Sequence, residues 1–135
     1  VYDINPKNDE DNAWFERIVA FGREIFEIKN IDFRAEVSDD FNANKIPPQF
    51  RRDIFLIFKE AMNNAAKYSE ANTVVLFAHK KDGKLILSLK DDGIGFMTTP
   101  EEDGNGIRNM KDRAAKIQAD FILKTEKGTE ITLKW

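Results

Sequence analysis

Three side chains on neighbouring turns of one helical stretch carry chemistry that could be used together. In PQFRRDIFLIFKEAMNNAAKYS, residues 48–69, Glu60, Asn64 and Lys67 fall within an arc of roughly 60° when the chain is wound at about 100° per residue. A carboxylate and an amide oxygen one turn apart suit a hard cation such as Mg²⁺, which completes its shell with water and phosphate oxygens. Asn64 is then the first ligand and Glu60 a second candidate. The same residues also read as the polar edge of an amphipathic helix, so alone they leave both readings open. Asn63 points further round and is expected in solvent.

Two glycine stretches lie downstream. Asp91-Asp92-Gly93-Ile94-Gly95 follows a strand-like run, and Gly104-Asn105-Gly106 precedes a helical pattern that begins at Ile107. Glycine lets a backbone come close to a planar or phosphorylated ligand. A helix N-terminus offers free N–H groups and the positive end of a dipole to an anion, and Arg108 and Lys111 add charge there. Asp91, at a strand end, could accept a hydrogen bond from an exocyclic amine. Read singly, each stretch is equally a turn or a helix start. Between them FMTTPEED, residues 96–103, is polar and carries Pro100, the composition of a mobile lid.

The elements that must position these groups follow from periodicity. Asn12 to Lys29 spaces Trp14, Phe15, Ile18, Val19, Phe21, Ile25 and Phe26 as one helical face, and Ile31 to Val37 alternates as a strand. Pro47-Pro48 starts the longest helix, with proline where its missing N–H costs nothing. There Ile54, Ile57, Phe58, Ala61, Ala65 and Tyr68 form the stripe that should pack on a sheet. Thr73–His79 and Lys84–Lys90 make a hairpin about Asp82-Gly83, a tight-turn pair. Ile107–Gln118 is a helix with Ile107, Met110, Ala114 and Ile117 inward, and Phe121–Thr125 with Glu130–Lys134 closes the chain as a second hairpin across Lys127-Gly128. Trp14, Trp135 and the set Phe50, Phe55 and Phe58 read as packing, Arg51 and Arg52 as solvated. This order predicts an α/β two-layer sandwich, helices on one face of a mixed, mostly antiparallel sheet.

Composition narrows the function. A chain of 135 residues is one domain with room for a core. With no cysteine and one histidine, disulfides are excluded and a structural zinc site is not expected. A net charge of −3 argues against nucleic-acid binding, which needs a basic surface. No apolar run is long enough to span a bilayer, so no membrane contact by this domain is expected.

Taken together, KEAMNNAAKYSEA, DDGIGF, GNGIRNMKDRA and KGTEITLKW, in this order, resemble the catalytic and ATP-binding domain of two-component sensor histidine kinases. That superfamily also holds gyrase-type, chaperone and mismatch-repair ATPases. The resemblance runs from Phe50 to Trp135 and implies a Bergerat-type ATP-binding fold, with ATP and Mg²⁺ as cofactors. It implies that Glu60 orients or deprotonates an acceptor histidine, that Asn64 ligates Mg²⁺ and that Lys67 and Tyr68 border the nucleotide. By the same resemblance Asp91 reads the adenine amino group, with Gly93, Ile94 and Gly95 beside it. Gly104, Asn105, Gly106, Ile107 and Arg108 meet the phosphates, and Thr129 lies on the adenine side. Tyr68 stands where the most similar subgroup has histidine.

Residues 1–11 resemble the linker that follows a dimerising, histidine-bearing domain, which leaves 12–135 as the catalytic domain. The implied partners are that domain and a response regulator with a helix-turn-helix output. The implied location is cytoplasmic, with a parent protein anchored in the plasma membrane. The one histidine here, His79, lies near a strand end, so the isolated domain is expected to be a monomer that does not phosphorylate itself. Two other readings stay open: an ATPase switch of the same superfold, with Glu60 activating water, and a degenerate interaction module that binds no nucleotide.

Overall fold

A computed structural model describes residues 13–95 and 105–135. The order is α1 (Ala13–Ile28), β1 (Asp32–Val37), a 3₁₀ turn (Ala43–Lys45), α2 (Pro48–Tyr68), β2 (Thr73–Lys81), β3 (Lys84–Asp91), α3 (Gly106–Lys116), β4 (Asp120–Lys124) and β5 (Glu130–Lys134). The five strands lie in the order β1-β2-β3-β5-β4. β1 runs parallel to β2 and every other pairing is antiparallel. The sandwich expected from periodicity is the architecture found, with element ends moved by one or two residues.

β2 and β5 alternate in burial as the period of two requires, while central β3 is buried on both faces from Ile86 to Leu89. Val74, Leu76 and Ala78 of β2, Leu87 and Leu89 of β3, and Ile131 and Leu133 of β5 join the helices in one buried cluster. From α2 that cluster takes Ile54, Ile57, Phe58, Ala61, Met62 and Ala65. Asp82 and Gly83 both take positive φ, 52° and 78°, the backbone that matches a two-residue hairpin to the twist of its strands.

Two expectations are corrected. Tyr68, assigned to the sheet-facing stripe, is 58% exposed, while Met62, left out of it, is fully buried. At the last turn of α2 the stripe leaves the packed core for a cleft that Tyr68 lines with Asp91 and Thr129. Arg51 is not merely solvated. Its guanidinium lies 5.5 Å from the Trp14 ring centroid, and it donates to the carbonyls of Ile46 at 3.0 Å and Asn44 at 3.3 Å. It ties the loop before α2 to the start of α1.

Candidate functional site

A cleft opens where the last turns of α2, the end of β3 and the β4–β5 turn converge. Asn64, Tyr68 and Ser69 line it from the helix, Asp91 and Gly95 from the strand end, and Thr129 from the turn. The β3–β5 register pairs Lys90 with Glu130, which sets Asp91 beside Thr129. There the Asp91 N–H donates to the Thr129 carbonyl at 2.9 Å.

Asp91 is 5% exposed. Its Oδ1 accepts from the Gly93 N–H at 2.9 Å and from the Thr129 N–H at 3.3 Å. Among the described residues no donor reaches Oδ2, so that oxygen keeps its acceptor capacity for the cleft. Burial raises the carboxyl above the ordinary aspartate value, the two backbone N–H groups offset part of that, and neighbouring Asp92 adds to it. A raised folded-state value means the native chain holds its proton to higher pH than the unfolded chain. The group's contribution to stability is therefore lost as pH climbs from the unfolded to the folded value. At neutral pH Asp91 is a cost to the unliganded fold.

Two features that sequence reading missed hold this arrangement. Ser69, the residue after α2, is buried and donates through Oγ to the Ala65 carbonyl at 2.6 Å, while its own carbonyl accepts from the Ile94 N–H at 2.8 Å. A Cβ on Gly93 would stand 2.0 Å from that same carbonyl oxygen, so the contact between helix end and glycine turn admits no side chain. Asp92 pins the other side: its Oδ1 accepts from the N–H groups of Asn72 at 2.8 Å and Thr73 at 3.0 Å. Paired aspartates before a glycine were visible in the sequence, but not that they face opposite ways. Asp92→Ala is expected to lower stability by about 1–2 kcal/mol, the loss of two charge-assisted hydrogen bonds at an exposed site, read as a lower urea midpoint with unchanged slope.

The other sequence-derived residues distribute as follows. Lys67 is exposed on the last turn of α2 and does not line the cleft, and the Ile94 side chain is exposed. Gly104 lies outside the described residues, as does the proposed lid. Asn105 precedes α3 with its side chain making no cap bond, its carbonyl accepting from Asn109. Gly106 opens the helix, Arg108 and Lys111 are exposed, and Ile107 is buried in the core, so its side chain faces away from any ligand at that helix end. His79 pairs with Ile86 on the sheet face away from the helices.

Glu60 is not in the cleft. It opens into a separate recess between α2 and α3, together with Asn63, Asn109 and Arg113. Asn63, half-buried, lines that recess as well. Beside it Arg113 bonds Asp53 at 2.9 Å, locking α3 onto α2. Asn64 faces the cleft instead, and its Nδ2 is buried with no hydrogen-bond partner. An amide with nothing on its nitrogen can turn either end to a ligand, which fits a metal that needs the oxygen. Among the described residues no three acids or histidines gather to hold a metal by themselves. The cleft's free volume is about 20 Å³, roughly one water.

The sensor protein VraS of Staphylococcus aureus is 32% identical over 93 residues, 67% of this chain and 27% of VraS. The histidine kinase domain of the blue-light activated histidine kinase EL346 of Erythrobacter litoralis superposes with a TM-score of 0.74. It is 18% identical and covers 90% of this chain and 59% of that one. The chain is a sensor histidine kinase catalytic domain. No family model matches it. Full-length ShkA, solved in complex with AMPPNP, matches with a TM-score of 0.68 at 18% identity, over 91% of this chain and 29% of ShkA. This catalytic domain spans about a quarter of the length of the curated relatives it matches, 27% of VraS and 26% of UhpB. Among its described residues no helix is long and apolar enough to cross a membrane.

Proposed function

We propose that this domain binds Mg-ATP in the cleft beside Asp91 and donates the γ-phosphoryl group to a histidine on a separate dimerisation domain of its parent protein, for relay to a response regulator. The observation that carries the reading is Asp91: a buried carboxylate that lines the cleft, with one oxygen bonded to two backbone N–H groups and no donor on the other among the described residues. Such a group costs stability and is retained where a ligand needs it. The resemblance of the four motifs to the kinases, and the AMPPNP in ShkA, point to adenine as that ligand.

Each residue then has a task. Asp91 accepts from the exocyclic amine of the base through Oδ2, while Gly93 and Gly95 keep the turn free of side chains. Asn64 presents its amide oxygen to the metal. By the resemblance, Gly104, Asn105, Gly106 and Arg108 would offer N–H groups and positive charge to phosphate, with Lys67 and Lys111 adding charge, and Tyr68 and Thr129 would border the nucleoside. The bound Mg-ATP supplies a γ-phosphoryl group whose charge the metal shares. Glu60 accepts the acceptor imidazole's N–H, so that the other ring nitrogen bonds to phosphorus as the bond to the ADP oxygen breaks. The domain would sit in the cytoplasm. Its regulator would carry a helix-turn-helix output, and in isolation the domain would be monomeric and inert toward its own His79.

Thermal denaturation with Mg-ATP and Mg-ADP tests the binding step, since a ligand of the native state raises apparent stability by mass action. The wild-type domain is expected to shift upward at millimolar nucleotide. Asp91→Asn is expected to bind about 10- to 100-fold more weakly, the loss of a hydrogen bond to a charged acceptor. Its melting temperature without ligand should equal or exceed wild type at neutral pH, because asparagine keeps the two backbone bonds without the buried charge. An unshifted wild-type transition would leave the interaction-module reading in its place. Steady release of inorganic phosphate without any acceptor would favour the ATPase switch.

A further inference from the structure

We propose that the Ser69 hydroxyl is a positioning group that fixes the span between the two ends of the nucleotide cleft, and so couples base recognition to metal binding. This rests on the Mg-ATP reading above and adds how the cleft measures its ligand. Asp91 and Asn64 line the cleft together with Ser69, yet they belong to different elements, β3 and α2. A ligand held at both gains its full affinity only where their separation matches its length.

The two elements are tied at Ser69. It is 4% exposed and closes α2: its N–H and its Oγ both donate to the Ala65 carbonyl, at 3.2 Å and 2.6 Å. That carbonyl belongs to the residue after Asn64, so Ser69 holds the turn that carries the metal amide. Glu70 then turns left-handed at φ 54°, and the chain doubles back so that Oγ accepts the Ala71 N–H at 3.1 Å. On its other side the Ser69 carbonyl accepts the Ile94 N–H at 2.8 Å and lies too close to Gly93 for that residue to carry a side chain. The Gly93 N–H in turn donates to Asp91 Oδ1 at 2.9 Å. A short run of contacts therefore leads from the Asn64 turn through Ser69 to the Asp91 carboxylate. Asp92 does not replace it, because its bonds go to Asn72 and Thr73 at the start of β2. Without the hydroxyl, the Ala71 N–H, in a residue 8% exposed, loses its acceptor. The Ala65 carbonyl keeps only the longer of its two bonds from Ser69. The helix end can then settle at another distance from the glycine turn, although neither ligand-facing side chain has changed.

Ligands that use one end of the cleft and ligands that use both should respond differently to that loss. The test measures ADP dissociation constants by calorimetry, with Mg²⁺ and with EDTA, for wild type, Ser69→Ala and Gly83→Ala. Wild type should bind more tightly with Mg²⁺. Ser69→Ala should lose about fivefold of that gain, as for one neutral hydrogen bond, with its constant in EDTA moved by less than roughly twofold. Gly83→Ala, destabilised at a distant hairpin, should keep both constants and so controls for lost stability. Equal weakening of Ser69→Ala under both conditions would make Ser69 merely structural and overturn the proposal, as would an undiminished gain. A second readout needs no variant and decides the matter if Ser69→Ala fails to fold. In the wild-type domain bound to ADP, adding Mg²⁺ should slow amide hydrogen exchange at Ile94, across Ser69 from Asn64. Protection confined to α2 overturns the coupling and leaves the nucleotide reading standing. A wild-type domain that binds no ADP, or gains nothing from Mg²⁺, rejects that reading and the coupling with it.

Discussion

Glu60→Gln is expected to leave nucleotide binding intact and to cut phosphotransfer to the parent's histidine-bearing domain by about 10²- to 10⁴-fold, the usual contribution of a positioned general base. The split follows from where the two depressions lie. Glu60 lines the α2–α3 recess and Asn64 the cleft, so a change confined to the carboxylate alters the acceptor side alone. Glutamine keeps the shape and can still accept a hydrogen bond, but it cannot take a proton at neutral pH. The measurement pairs acid-labile phosphohistidine formation with the Mg-ATP thermal shift on the same preparation. A variant that lost both in proportion would show Glu60 to be a nucleotide ligand and contradict the separation.

Gly128→Ala is expected to destabilise the domain by about 3 kcal/mol or more and to remove Mg-ATP binding with it. At φ +99° the residue lies where an L side chain is strained, and its Cβ would stand 2.1 Å from the Asp91 carbonyl oxygen and 3.1 Å from Oδ1. Both atoms belong to Asp91, which lines the cleft. Relief requires the β4–β5 turn to move off β3, which breaks the paired bonds between Asp91 and Thr129. Gly83→Ala is the control: φ is also positive, at +78°, but nothing lies within 4 Å of the added atom, so only the conformational cost of about 1 kcal/mol remains. Denaturant titration separates the two, and equal losses would mean that backbone strain, not close approach, governs position 128.

The division of labour along α2 gives the domain a simple physical logic. Two polar side chains one turn apart, Glu60 and Asn64, line two different depressions; on the proposed reading these would serve partners that meet at the γ-phosphate. α2 is a shared wall of the two depressions. Ser69 extends that wall into the glycine turn by taking the Ile94 N–H, so the cleft's geometry is coupled to the end of the same helix that carries Glu60.

Local pattern was enough to determine the elements. The 3.6-residue stripe of α2, the alternation in β2 to β5, Pro47-Pro48 and Asp82-Gly83 each act within a few residues, so their structures follow from steric and burial preferences that the sequence states directly. The four motifs likewise identified the kind of domain. What the sequence could not decide was which groups share a cavity. A helical wheel gives azimuth: Glu60 and Asn64 differ by about 40° and about 6 Å of rise, close enough to look like one edge. Whether that edge faces one space or two depends on α3 and the β4–β5 turn packing on either side of it. The contact of Gly128 with Asp91 depends on the β3–β5 register, and the engagement of Arg51 on the arrival of Trp14 from α1. Those are decisions of tertiary packing, in which residues far apart in the chain compete for the same few ångströms, and no local preference records their outcome.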